Sequence, residues 1–174
     1  MADATDILRR LDALEAESAV RAVLARYVEI CDDLPAHDLA RDLGPLFTED
    51  AVWAGKGDRY GDAFGGHRGR KAILAFLEGY RRPAHFRSNV HFLTSESVDV
   101  DGDTASGTWV MLQTPTFHDG QSFALAARLH VEFRRENDAW AISRFATTNL
   151  LGRSVDGPWS APTPIPTPAH QDRT

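Results

Sequence analysis

The sequence predicts an α+β domain: helices first, then a curved antiparallel sheet that they cover on one face. Two observations carry this. Helical periodicity is confined to roughly the first eighty residues, with apolar positions at i, i+3 and i+4. From residue 87 onward the chain changes to strand-like runs at 88–100, 103–117, 122–136 and 139–152, separated by short turns. Consecutive strands with short turns form a meander, and helices followed by strands pack as layers.

The elements follow in order. Ile7, Leu8, Leu11 and Leu14 suggest a short helix over 5–14. Val20, Val23, Leu24, Tyr27, Val28 and Cys31 give a stronger helix over 17–32. Pro35 disfavours helix at the residue before it, so this helix should stop near Asp33 or Leu34. Residues 37–47 read as another short helix, ending in LGPLF, and Asp50-Ala-Val-Trp53 as the start of a strand. A loop rich in Gly, Asp and aromatic residues occupies 54–66. A short strand, a turn and a helix over about 70–80 follow, the helix ending at Arg81-Arg82-Pro83. Asp101-Gly102, Asp119-Gly120 and residues 136–138 supply the turns of the meander. Residues 1–156 are read as one domain. The segment 157–174 holds five of the nine prolines and is expected to be an extended or disordered arm.

Bulk properties narrow the function. A chain of 174 residues with 43% hydrophobic and 25% charged residues suits one globular domain with a substantial core. A net charge of −6 and a pI of about 5.6 argue against nucleic acid as the main partner. No apolar run approaches the roughly 20 residues that span a bilayer, and the charged N-terminus has no signal-peptide core. The single cysteine, Cys31, excludes an internal disulfide and fits a cytoplasmic protein. It lies on an apolar helix face and reads as packing.

Few residues suggest chemistry by themselves. Asp32 and Asp33 lie at the negative end of a helix dipole, where carboxylates are unfavourable by up to about 1 kcal/mol. A broken local rule invites a functional reading, against the plainer one in which Asp33 is solvated and Asp32 caps the next loop. Tyr27 falls on the buried helix face. His91 sits in a strand where alternation places Asn89, His91, Leu93 and Ser95 on one side and Val90, Phe92 and Thr94 on the other. Arg144, by the same alternation, shares a face with Trp140 and Ile142, while Arg128, His130 and Glu132 read as a solvated stripe. The seven histidines have no metal-site spacing, there is no HExxH or CxxC, and the glycines at 65, 66 and 69 form no nucleotide-binding loop. Neither metal nor cofactor is expected.

The segments RYVEICDD, LGPLFTEDAVW, GGHRGRKAI, VHFLTSESVDVDGDTASG and HVEFRRENDAWAISRF together resemble the SnoaL-like branch of the nuclear transport factor 2-like superfamily. The similarity runs over roughly residues 8–152. It implies a cone-shaped α+β barrel enclosing a mostly apolar pocket. Within the superfamily the sequence most resembles the group of scytalone dehydratase, bile-acid 7α-dehydratase and hexachlorocyclohexane dehydrochlorinase. In those enzymes a helix-end aspartate pairs with a strand histidine, and the matching positions here are Asp32 and His91. Tyr27 stands where the bile-acid enzyme has a tyrosine, and Arg144 where the dehydrochlorinase has a pocket arginine. Asn89, Trp53 and Trp140 are expected to line the same pocket.

The resemblance implies a cofactor-independent lyase acting on a hydrophobic cyclic molecule, with His91 as base, and a homo-oligomeric assembly. A proton-shifting isomerase or cyclase of the same fold, a non-catalytic binding protein, and a dioxygenase small subunit are the alternatives.

Overall fold

A computed structural model of the chain describes residues 3–57, 60, 64–157 and 159. Helix α1, Ala4–Asp32, runs unbroken where the apolar pattern predicts two helices. Glu15, Ala16 and Glu17, between the two patterns, are good helix formers, and no Gly or Pro interrupts them. The second half of α1 buries Val20, Leu24, Tyr27, Val28 and Ile30, whereas Ile7, Leu8, Leu11 and Leu14 stay exposed. The helix ends at Asp32, and a 3-10 turn at Leu34–Ala36 carries Pro35.

The expected helix over 37–47 is instead a single π-turn, Leu39–Leu43, and a 3-10 turn, Gly44–Leu46. Strand β1, Phe47–Lys56, follows, then β2, Gly66–Arg68, and helix α2, Arg70–Glu78. The meander comprises β3 (Phe86–Ser88), β4 (His91–Asp101), β5 (Thr104–Gln113), β6 (Thr116–Phe117), β7 (Ser122–Glu136) and β8 (Ala139–Val155). The run predicted over 103–117 divides at Thr114 and Pro115, where proline lacks the N–H a ladder needs.

The sheet runs β2-β1-β8-β7-β5-β4, with β6 bridging β7 and β3. It is mixed: β1 lies parallel to β8, so the expectation of a wholly antiparallel sheet is corrected at that one pair. Sequence patterning does not reveal a pairing between strands ninety residues apart. Two irregularities in β7–β8, one at Ser143 and one at Leu150, and another in β4 between Thr94 and Ser97 bend the strands. The curved sheet wraps around the core, with α1 packed on β4 and β8 and α2 on β1 and β2.

The inner face carries Leu129, Val131, Phe133, Ile142 and Phe145, all buried. On the outer face, Phe92 pairs with Leu112, and Ala126 with Leu151, and Phe92, Leu112 and Leu151 are exposed. The apolar side of the His91 strand is thus its outer side. β8 ends at Val155. Apart from Gly157 and Trp159, the predicted arm over 157–174 lies outside the described residues.

Candidate active site

Between α1, α2 and the inner sheet face lies a cavity of about 220 Å³. At roughly 30 Å³ per water it has room for about seven waters, which suits a compound of one or two rings. Its walls are mostly aromatic. Trp53 stacks on Phe145 at 5.7 Å with planes 2° apart, and Phe76 and Tyr27 pack around this pair. Such rings supply a large apolar surface of defined shape, the usual lining of a small-molecule site.

The polar groups gather where α1 ends. Asp32 Oδ1 lies 2.6 Å from His91 Nδ1 and also accepts the His91 backbone N–H at 3.0 Å. These two donors offset the unfavourable position of a carboxylate at a helix C-terminus that has no basic residue in its last turn. With Nδ1–H donated to Asp32, the neutral imidazole keeps its lone pair on Nε2. The His91 side chain is 11% exposed and that of Asp32 27%. His91 lines the cavity, whereas Asp32 lines an adjoining hollow that shares Cys31, Leu34, Tyr80, His85, Phe86 and Asn89 with it. The pair therefore straddles the boundary between the two spaces.

Asn89 is buried beside them. Its Nδ2 donates to the Cys31 carbonyl at 3.2 Å, tying β4's approach to α1, and its Oδ1 accepts from Gln113 at 2.9 Å. Tyr27 Oη accepts from Trp53 Nε1 at 3.0 Å. Burial raises the Tyr27 phenol well above its ordinary pKa, so it stays a neutral donor. Burial also pushes the Cys31 thiol up to about 12, which removes it as a nucleophile near neutral pH.

Of the seven residues expected from sequence, the fold brings His91, Tyr27, Asn89 and Trp53 to the cavity and Asp32 into contact with His91. Two expectations are corrected. Arg144 is exposed on the outer face, opposite Glu132, and does not line the cavity. Glu132 pairs with Arg144 but Phe133 pairs with Ile142, so Ser143 is an extra residue that inverts the alternation. Trp140 is buried in the core without reaching the cavity. Arg128, His130 and Glu132 are exposed as expected.

Gln113 is one of the polar cavity residues that sequence reading passed over, with Tyr80, His85 and Thr147. It sits directly across from His91, and a signal existed: Trp109, Met111 and Gln113 share one face of β5, and the apolar alternation ends on an amide. Among the described residues no group of three His, Cys, Asp or Glu side chains is arranged to hold a metal ion, and no helix is long and apolar enough to cross a membrane.

Residues 12–146 match the SnoaL-like domain. The chain belongs to the SnoaL-like family. Solved structures agree with this SnoaL-like assignment. A type 2 hexachlorocyclohexane dehydrochlorinase (LinA) aligns with a TM-score of 0.74 at 21% identity, over 90% of this chain and 99% of that one. A nuclear transport factor 2-like protein with a cystatin-like fold from Novosphingobium aromaticivorans aligns at 28% identity and a TM-score of 0.68, over 86% and 92%. A candidate scytalone dehydratase from the same organism aligns at 18% identity and a TM-score of 0.68, over 84% and 95%. At 21% and 18% identity, the first and third bear on the fold alone. No curated protein is similar enough in sequence to be matched.

Proposed function

We propose that this SnoaL-like domain is a cofactor-independent lyase that eliminates water, or a similar leaving group, from a hydrophobic ring compound. The observation that carries the reading is the 2.6 Å contact between His91 Nδ1 and Asp32 Oδ1 at the wall of an aromatic cavity. Two of the structural neighbours that share this fold are named for eliminations, a dehydrochlorinase and a candidate dehydratase.

In this reading His91 Nε2 takes a proton from the substrate carbon next to the one bearing the leaving group. The C–H electron pair becomes the new C=C bond, and the bond to the leaving group breaks with its electrons. For a hydroxyl, the departing oxygen recovers the proton from the imidazolium and leaves as water, which restores neutral His91. Asp32 fixes the tautomer and stabilises the transient imidazolium. Tyr27, whose oxygen already accepts from Trp53, donates its own O–H to a substrate carbonyl or to the departing oxygen. Asn89 and Gln113 order the wall beside the base.

The test is turnover of hydroxylated and halogenated one- and two-ring compounds by wild type and His91→Ala, with released water or halide separated from mass-neutral rearrangement. Elimination that falls by about 10²–10⁴-fold in His91→Ala is expected. Rearrangement without a released group, or turnover that survives the substitution, removes the reading.

A further inference from the structure

Several polar side chains around the cavity are hydrogen-bonded inside the protein. Asp32, Asn89, Gln113, Tyr27 and Trp53 all hydrogen-bond within it. Thr147 differs. It lines the cavity, it is 4% exposed, and its Oγ1 has no hydrogen-bond partner among the described residues. Buried hydroxyls are ordinarily paired, because burying an unpaired one is a standing cost. A sheet position that needed only bulk would be filled equally well by valine, which has the same shape without the hydroxyl.

Thr147 stands on β8, between Gly55 of β1 and Leu129 of β7. His91 stands on β4, facing Gln113 of β5, whose own partner on β7 is Leu125. The two residues are thus separated by three strand spacings in the order β8-β7-β5-β4, about 14 Å, and by the four residues from Leu125 to Leu129 along the strands, about 13 Å, or about 19 Å along the sheet. Curvature shortens that path across the hollow. Both side chains line the one cavity, so a ring skeleton held in it lies between them. Rotation about χ1 exchanges the positions of Oγ1 and Cγ2, and the hydroxyl gives up no existing bond when it turns.

We propose that Thr147 is a second polar anchor of the substrate site, hydrogen-bonding a hydroxyl or ketone oxygen carried on the ring system at the end remote from His91. The substrate class is then a ring compound with oxygen functions at both ends, not a plain hydrocarbon or a compound with one polar end. This rests on the cavity being the substrate site. It goes beyond the elimination reading by assigning the far end.

Equilibrium binding of 2,6-dihydroxynaphthalene and 2-naphthol, which share a skeleton and differ in the second hydroxyl, tests the assignment in wild type, Thr147→Val and Thr147→Ser. Wild type should bind the diol on the order of tenfold more tightly. Thr147→Val should lose that preference, keep its affinity for 2-naphthol within about twofold, and unfold at the same temperature or higher, since an unpaired buried hydroxyl has been removed. Thr147→Ser should keep the preference. A preference that persists in Thr147→Val, an equal loss for both compounds, or no binding of either by wild type overturns the proposal. Binding is read without turnover, so the outcome is independent of the base: repeating it in His91→Ala separates a failure of the Thr147 anchor from a failure of the elimination chemistry.

Discussion

The Trp53 indole N–H donates to the Tyr27 hydroxyl at 3.0 Å, joining β1 to α1 across the wall of the cavity. This bond occupies an acceptor site of the phenol and leaves its own proton to be given elsewhere. Tyr27→Phe should therefore do two things. It should orphan the Trp53 N–H and cost about 1–3 kcal/mol in urea unfolding. It should also lower kcat, because the donor to the developing oxygen charge is gone. Trp53→Phe removes the donor instead of the acceptor, so its kcat should fall less than that of Tyr27→Phe.

Asp32 accepts both the backbone N–H and the ring N–H of His91. Asp32→Asn replaces an acceptor-only carboxylate with an amide that can present N–H to the ring. The imidazole then favours the opposite tautomer, with its proton on the nitrogen that should act as base. A fall in kcat of about 10³–10⁴-fold is expected, with ligand affinity largely retained. Nitrogen-15 spectra of His91 read the tautomer directly, and an unchanged tautomer in Asp32→Asn would contradict this account.

Much of the sheet is readable because its signals are local: Asp101-Gly102 and Asp119-Gly120 mark turns, and β-branched runs mark strands. What sequence periodicity missed arises from non-local or single-residue events. The parallel pairing of β1 with β8 leaves no mark on either strand alone. The one-residue bulge at Ser143 turns Arg144 away from the cavity, whereas uninterrupted alternation keeps it beside Ile142. The Asp32–His91 contact joins residues 59 apart, and only the family resemblance pointed to it.

Arg144 gives that correction a test. An exposed arginine opposite Glu132 on a sheet surface is worth little to stability. Arg144→Ala should leave kcat and KM within about twofold of wild type and change stability by no more than about 0.5 kcal/mol. A large loss of kcat would put the guanidinium back at the site.

Gly107 marks a packing constraint remote from the polar end of the cavity. A Cβ built there would stand 2.3 Å from the Trp109 indole, which is 2% exposed and seated against Phe133. Gly107→Ala must displace that ring or the strand carrying it, and about 1–3 kcal/mol of stability should be lost. Trp109 fluorescence should shift to the red as the indole gains water. An unshifted spectrum at wild-type stability would mean that the strand absorbs the methyl without moving the ring.

Cys31 is the chain's only cysteine, and its thiol lies on the cavity wall with its pKa pushed up by burial to about 12. In the unfolded chain a thiol ionises near 8.5. Because the folded value is the higher one, the favourable balance is intact below about pH 8.5. It is lost as pH rises toward about 12, by up to roughly 1.4 kcal/mol per pH unit. Cys31→Ala should flatten the stability profile over that window. Above about pH 10 a residual slope should remain from Tyr27, whose pKa burial also raises. Near pH 8 the folded protein should react with a methanethiosulfonate on the order of 10³-fold more slowly than a free thiol, since so little thiolate is present. A ligand filling the cavity should slow that reaction further, which makes the thiol a reporter of occupancy that needs no knowledge of the substrate. Labelling at the free-thiol rate would mean that Cys31 is open to solvent and that α1 does not seal the cavity.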